Sequence, residues 1–222
     1  MIVLKQKPLE WILDALKNYS RIIIVGCNGC SGIYQVGGEK QVESLKMFLE
    51  MAFKLKLKRN IKIESCTLLR QCDGDLVASS LRPVIKNLGK HGALVSLACG
   101  VGVQTISNIF PETIVIPGCD TLFMGMRTKE LGEFYELCKA CGDCILFETG
   151  GVCPITRCSK GLLNGPCGGM REGKCEVDPT RDCAWALIYG RLKAQGRLDL
   201  FLKFRPPRDY RVTISPRMWR GV

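Results

Sequence analysis

Short runs of β-branched residues alternate with longer stretches of helical periodicity over the first 135 residues. Four runs have the continuous apolar character of strands buried on both faces, at residues 21–26, 61–65, 92–98 and 113–118. Between them, apolar side chains recur at helical spacing over residues 38–56, 74–90 and 102–110. Alternating strands and helices are joined by right-handed crossovers, which produce a parallel sheet with helices on both faces. We therefore predict an α/β fold, a small doubly wound parallel sheet, for residues 1–135.

Cysteines follow each of the four predicted strands. They are Cys27, Cys30, Cys66, Cys72, Cys99 and Cys119. Because the carboxyl ends of parallel strands share one edge of the sheet, where open α/β folds bind ligands, these side chains are expected to converge. The glycines of GCNGCSG (26–32) allow a tight turn that brings two thiolates to one metal.

We predict a metal or cluster site at this edge, and we interpret Cys66 and Cys119 as packing residues. Its predicted ligands are Cys27, Cys30, Cys72 and Cys99.

The pattern changes at residue 136, where a cysteine-rich segment without histidine begins. Residues 128–146 retain helical spacing, so we predict a helix whose C-terminal end carries Cys138, Cys141 and Cys144. Their C-x2-C-x2-C spacing is that of bacterial ferredoxins, with the fourth cysteine delayed here to Cys153. The remaining cysteines of the segment are Cys158, Cys167, Cys175 and Cys183. The eight divide naturally into two four-thiolate sites.

Three kinds of chemistry use so many thiolates: disulfides, zinc sites and iron–sulfur clusters. The N-terminus lacks the pattern of a signal peptide, so we expect a cytoplasmic protein, in which disulfides are disfavoured. Zinc favours two separated C-x2-C pairs, whereas an overlapping C-x2-C-x2-C is more typical of a cluster. We predict one or two [4Fe–4S] clusters, and structural zinc remains the alternative. The segment has few large apolar residues, so metal is expected to supply part of its stability.

The charge and hydropathy of the chain bear on two further classes of protein, those that bind nucleic acid and those that span a membrane. The net charge is +11, with basic residues concentrated at 54–59 and in the Pro-broken tail 205–222. Without a zinc-finger histidine pattern, we expect no nucleic-acid partner, and no apolar run is long enough for a membrane span. We place the cysteine-rich domain at 136–204, ending in an amphipathic helix from residue 184. Trp185 and Tyr189 on that helix are interpreted as core residues rather than as groups that stack on a flavin.

The cysteine-rich segment resembles a known family. The string CPITRCSKGLLNGPCGG (153–169), followed by CAWALIYGRL (183–192), is similar to the cysteine-rich C-terminal domain of methylenetetrahydrofolate reductases of anaerobes. Together with GGEKQVESL, QCDGDLV and ACGVGVQT, nearly the whole chain resembles the MetV family, the small subunit of that enzyme. The chain differs in having Tyr34 where a further cysteine is common in the family.

The resemblance implies an iron–sulfur subunit with no catalytic residue of its own. Its expected partner is a MetF-type subunit, which carries FMN or FAD and converts 5,10-methylenetetrahydrofolate to 5-methyltetrahydrofolate in one-carbon metabolism. Ferredoxin or another iron–sulfur subunit is the expected electron donor. We expect the exposed arginines of the tail to contact a partner. They are Arg205, Arg208, Arg211, Arg217 and Arg220. The alternative is a zinc-stabilised docking subunit that carries no electrons.

Overall fold

A computed structural model describes residues 1–89, 91–128, 130 and 132–219. The chain divides into two compact units, Met1–Phe123 and Met124–Val222, and each is described by itself. The described residues include all fourteen cysteines, and every one of them is a free thiol.

The first unit is built on a four-stranded parallel sheet with the order β3-β2-β4-β5. Its elements are β1 (Ile2–Gln6), α1 (Leu9–Leu16), β2 (Arg21–Cys27), α2 (Cys30–Ile33), α3 (Glu39–Lys56), β3 (Lys62–Leu68), α4 (Gly74–Ile85), β4 (Gly92–Leu97), α5 (Gly100–Ile109) and β5 (Ile114–Pro117). The predicted α/β class and parallel sheet are confirmed.

Alternate residues of β2 face two separate apolar cores. Ile22 and Ile24 pack with α1 and α3, whereas Ile23 and Val25 pack with α4 and α5. Helices therefore cover both faces of the sheet. This explains why the strand reads as an unbroken apolar run rather than as an alternating one.

A second sheet, of three strands, was not predicted from the sequence. Its order is β1-β6-β7, where β6 is Cys119–Arg127 and β7 is Phe134–Cys138. Beside β1, the backbone N–H of Lys7 donates to the carbonyl of Gly118, and its ammonium lies 2.5 Å from Asp120.

The helix predicted over residues 128–146 is wrong. Residues 134–138 form β7, which pairs antiparallel with the end of β6, so that Arg127 lies opposite Phe134. Gly132 has a φ of +83°, a conformation that ends a helix and that glycine adopts without strain. The apolar residues of this stretch therefore belong to a β-hairpin rather than to a helix.

The described part of the second unit contains a small core, a 3₁₀ helix (Tyr210–Thr213) and three α-helices. They are α6 (Pro154–Arg157), α7 (Ala184–Ala194) and α8 (Asp199–Leu202). The predicted terminal helix is interrupted between α7 and α8, because Gly196 has a φ of +68°. The core consists of Val152, Cys183, Trp185, Ile188 and Leu192. Trp185 is buried, as predicted, whereas the prediction of Tyr189 as a core residue is wrong, because its side chain is exposed. Within the described part of the chain, no helix combines the length and apolar character needed to cross a bilayer.

Candidate thiolate centres

Three of the four predicted edge ligands lie close together in the first unit. Cys27 ends β2, Cys99 precedes α5 directly after β4, and Cys72 lies in the loop between β3 and α4. Burial raises the pKa of the Cys27 thiol, and the nearby thiolates of Cys99 and Cys72 raise it further. Cys72 and Cys99 are therefore near enough to Cys27 to influence it, and their sharing of one metal site stays a prediction. Cys30, half-buried, begins α2 three residues after Cys27.

Backbone amides already point at the Cys27 sulfur. The N–H groups of Gln71 and Gly29 donate to it and lower its pKa, which opposes the effect of burial. Hydrogen bonds of this kind favour a thiolate over a thiol, and in iron–sulfur proteins they tune the centre. Burial nevertheless outweighs these hydrogen bonds, and the pKa of Cys27 is raised on balance.

Gln71 holds this edge together from inside the fold. Its buried side-chain amide donates to the carbonyls of Val25 at 3.0 Å and Gly26 at 2.9 Å, and its oxygen accepts from Ser96 at 2.6 Å. The ends of β2 and β4 are thus joined to the loop that carries Cys72. The sequence analysis missed Gln71, and no pattern marks it, because all three partners are remote in the chain.

Cys66 and Cys119 differ from the edge ligands. Burial raises the pKa of Cys66, which lies within β3. Burial, reinforced by the charge of Asp120, raises the pKa of Cys119 to about 12. Both side chains are therefore expected to stay protonated, as packing residues would.

The C-x2-C-x2-C segment is a sharply turning loop. Cys138 is the last residue of β7, and its sulfur accepts the backbone N–H of Ala140 at 3.3 Å. The thiol of Cys141 donates to the carbonyl of Asp143 at 3.6 Å. Ala140 and Gly142, the residues beside Cys141, have positive φ angles of 49° and 76°. The loop can therefore wrap around a bound centre rather than present a flat helical face.

Cys153 lies on the element next to this loop. It precedes α6 directly, and the hydroxyl of Thr156 in α6 donates to the carbonyl of Leu137 in β7 at 3.3 Å. The guanidinium of Arg157 also lies 6.0 Å from the ring centre of Tyr135. Packing of α6 on β7 thus brings the delayed fourth cysteine beside the strand that ends at Cys138.

The other four cysteines line a single cavity in the second unit. The cavity is small, with a volume of about 20 Å³. The cysteines that line it are Cys158, Cys167, Cys175 and Cys183. Arg157 and Lys160 add positive charge to its wall, and Trp185 adds an apolar surface. These are the four cysteines that the sequence analysis grouped as the second site.

Several groups around this cavity are placed to act on the sulfur atoms. The Ser159 hydroxyl, 3.6 Å from the Cys175 sulfur, and the backbone amides of Val177 and Asp178 lower the pKa of Cys175. Cys167 lies 3.8 Å from the carboxylate of Glu176, which pairs with Lys160. Neither Ser159 nor Glu176 was predicted, although each neighbours a cysteine in the sequence. The cavity therefore favours thiolate at Cys175.

The distances between the cysteine sulfurs decide whether they could hold a single zinc ion or a cluster. Among the residues that the structure describes, no three His, Cys, Asp or Glu side chains are grouped to hold one metal ion. A zinc ion requires four sulfurs about 2.3 Å from one point. The four ligands of a cubane bind different iron atoms and stand farther apart. The cavity offers four cysteines and the Glu176 carboxylate as donors, and whether they hold zinc or a cluster stays a prediction.

The C-terminal tail is only partly exposed, which differs from the sequence-based expectation. Arg205 is buried, and it binds the Glu148 carboxylate at 3.1 Å and the Glu148 carbonyl at 3.1 Å. The Arg208 side chain is 6% exposed and lies 3.5 Å from Asp143. Arg211 and Arg217 are exposed, and Arg220 lies outside the described residues. Arg205, Arg208 and the exposed Arg217, which donates to the carbonyl of Ala140, are therefore engaged within the second unit.

Comparison with known families gives one match. Residues 116–211 match the family described as methylene-tetrahydrofolate reductase C terminal. The matched segment contains all eight cysteines of the second unit and covers less than half of the chain. The resemblance to a methylenetetrahydrofolate reductase domain is confirmed for that segment. Comparisons with curated protein sequences and with solved structures gave no significant match.

Proposed function

We propose that the chain is a MetV-type iron–sulfur subunit of a methylenetetrahydrofolate reductase complex. The observation that carries this proposal is the cavity lined by four cysteines within the matched segment. Four thiolates around one space have few roles other than binding a metal centre. The match to the reductase domain supplies the enzyme with which such a centre would work.

The chain's own residues are suited to hold and tune such centres. A bound cluster would supply one-electron transfer. The Cys175 thiol donates to the Ser159 hydroxyl, and the amides of Val177 and Asp178 donate to the Cys175 sulfur. Arg157 and Lys160 would offset the negative charge of four thiolates. At the sheet edge of the first unit, the backbone amides of Gln71 and Gly29 donate hydrogen bonds to the Cys27 sulfur.

The folate chemistry is assigned to a partner. The only histidine, His91, is exposed, and no candidate acid–base pair was identified in the sequence. A MetF-type subunit with FMN or FAD would reduce the folate, and this chain would relay electrons from ferredoxin or a similar iron–sulfur donor. Fourteen free thiols suit the reducing cytoplasm, where we place the complex.

Electron delivery to the partner tests this function. The chain is purified anaerobically with its flavin-bearing partner, and flavin reduction is followed by stopped-flow absorbance after reduced ferredoxin is added. We expect the wild type and the matched control Cys66→Ser to reduce the flavin, whereas Cys167→Ser does so at least tenfold more slowly. Equal rates with and without the chain would refute the proposal.

A zinc-stabilised docking subunit is the second candidate. The small core of the second unit favours it, because five buried residues leave much of the stability to a metal. Under this alternative, Cys167→Ser weakens assembly with the partner but leaves electron transfer among the assembled complexes unchanged.

A further inference from the structure

A buried arginine near the C-x2-C-x2-C loop lacks the partners that its charge requires. The Arg208 side chain is 6% exposed, and both terminal guanidinium nitrogens are buried without a hydrogen-bond partner in the described part of the structure. A buried charge without hydrogen bonds is costly and is normally paired. The arrangement therefore calls for a negative group close to Arg208.

The carboxylates around Arg208 do not meet this need. Glu148 binds Lys203 at 2.6 Å and Arg205 at 3.1 Å. Asp209 binds Arg211 at 2.8 Å. Asp143 is more than half exposed, and its 3.5 Å separation from Arg208 exceeds the 2.7–2.9 Å of a charge-assisted hydrogen bond. Of the three, only Asp143 pairs with Arg208, and this ion pair is long and open to solvent and supplies no hydrogen bond to the guanidinium.

The cysteine loop is the nearest place where further negative charge would arise. Asp143 lies between Cys141 and Cys144, and Cys144 and Arg208 line the same cleft. Thiolates that hold a metal centre leave the site with net negative charge. A guanidinium beside that charge would be stabilised, and it would favour the reduced, more negative form of a redox centre.

The tail that carries Arg208 also lies along this loop. Arg205 fixes its beginning to Glu148, and the guanidinium of Arg217 donates to the carbonyl of Ala140. Val212 lies beside Gly142, 3.6 Å from the position that a Cβ would occupy there. Contacts at both ends of the cysteine loop hold the tail in place. Residues 205–217 therefore form a strap over the loop.

We infer that this strap closes the centre at Cys138, Cys141 and Cys144, and that Arg208 is a positioning residue whose buried charge stabilises the bound, reduced centre. The inference rests on the proposed function, because it requires a thiolate-bound centre at this loop. It adds a role for the tail within the chain, where the sequence had suggested a role in docking.

The test uses the anaerobically purified full chain with its native metal. Arg208→Met removes the charge and keeps much of the volume, Arg208→Lys keeps the charge, and Arg211→Met is the matched control on an exposed arginine of the same strap. The readouts are the midpoint potential from titration monitored by electron paramagnetic resonance, and alkylation of each cysteine measured by peptide mass spectrometry. Circular dichroism verifies folding.

For Arg208→Met we expect the equilibrium constant for reduction to fall about tenfold, a decrease of about 59 mV for one electron. Alkylation of Cys138, Cys141 and Cys144 should accelerate at least threefold, while Cys167 and Cys175 serve as unchanged internal references. Arg208→Lys should retain most of the wild-type potential, and Arg211→Met should match the wild type.

Two results separate this inference from the proposed function. A reducible wild-type centre whose potential and cysteine protection do not change in Arg208→Met would overturn the inference alone. If the wild type holds only zinc, the electron-transfer proposal fails. The inference then stands only if a chelator strips zinc from Arg208→Met at least threefold faster than from Arg211→Met, and equal rates overturn it.

Discussion

The hydroxyl of Ser96 donates a 2.6 Å hydrogen bond to the side-chain oxygen of Gln71, and both residues are fully buried. Gln71→Leu would leave that hydroxyl and the carbonyls of Val25 and Gly26 without their partner. We expect the free energy of unfolding to fall by about 2–4 kcal/mol, because each unsatisfied buried polar group costs about 1–3 kcal/mol. Urea denaturation followed by circular dichroism measures it.

The matched control for this prediction is Gln104→Leu. Gln104 is exposed and donates only to the carbonyl of Gly100 in its own helix. Its replacement should change stability by less than about 0.5 kcal/mol. Equal losses in the two variants would show that the buried amide does not hold the sheet edge.

The cavity in the second unit predicts which cysteines retain metal. Cys167 is exposed, so Cys167→Ser removes a thiolate with little loss of packing. We expect this variant to lose the metal of one centre, and Cys66→Ser to keep the full wild-type content. Inductively coupled plasma mass spectrometry of both variants checks this. An unchanged metal content in Cys167→Ser would exclude the four-cysteine cavity as a site.

Two glycines of the second unit should respond in opposite directions. A Cβ on Gly165 would lie 2.3 Å from the ring of the buried Trp185, whereas a Cβ on Gly190 in α7 would meet no atom within 4 Å. Gly165→Ala should therefore destabilise the metal-loaded protein by about 1–3 kcal/mol through overpacking. Gly190→Ala should stabilise it by about 0.5–1 kcal/mol through helix propensity. Calorimetry measures both, and a stable Gly165→Ala would contradict the packing described.

Removal of metal should affect the two units unequally. The first unit has two extensive apolar cores, whereas the core of the second contains five buried residues. We expect chelation under oxidising conditions to expose residues 124–222 to hydrogen exchange while residues 1–123 stay protected. Protection of the second unit after complete metal loss would show that metal is not needed for its fold.

The sheet and its edge could be predicted because their causes are local in the sequence. The strand Arg21–Cys27 is apolar from Ile22 onward, and in a parallel sheet its last residue lies at the carboxyl edge, where open α/β folds bind ligands. The group of cysteines that remain after the C-x2-C-x2-C run and Cys153 lines one cavity. Its assignment to metal remains a prediction.

The features that were missed depend on contacts between distant residues. Residues 134–138 have the spacing of a helix, but they pair with β6, and tertiary pairing outweighs intrinsic propensity. The sequence of the tail predicts an exposed basic segment, but Arg205 donates a hydrogen bond to the carboxylate of Glu148, 57 residues away. Neither contact leaves a periodic pattern in the chain.

The most direct measurement is the content of iron, acid-labile sulfide and zinc in anaerobically purified protein, with electron paramagnetic resonance spectra after reduction by dithionite. The account predicts iron and sulfide in equal amounts, about four or eight of each per chain as cubane clusters require, and a signal from a reduced cluster. Zinc alone, with no reducible signal, would contradict electron transfer and leave a structural docking subunit.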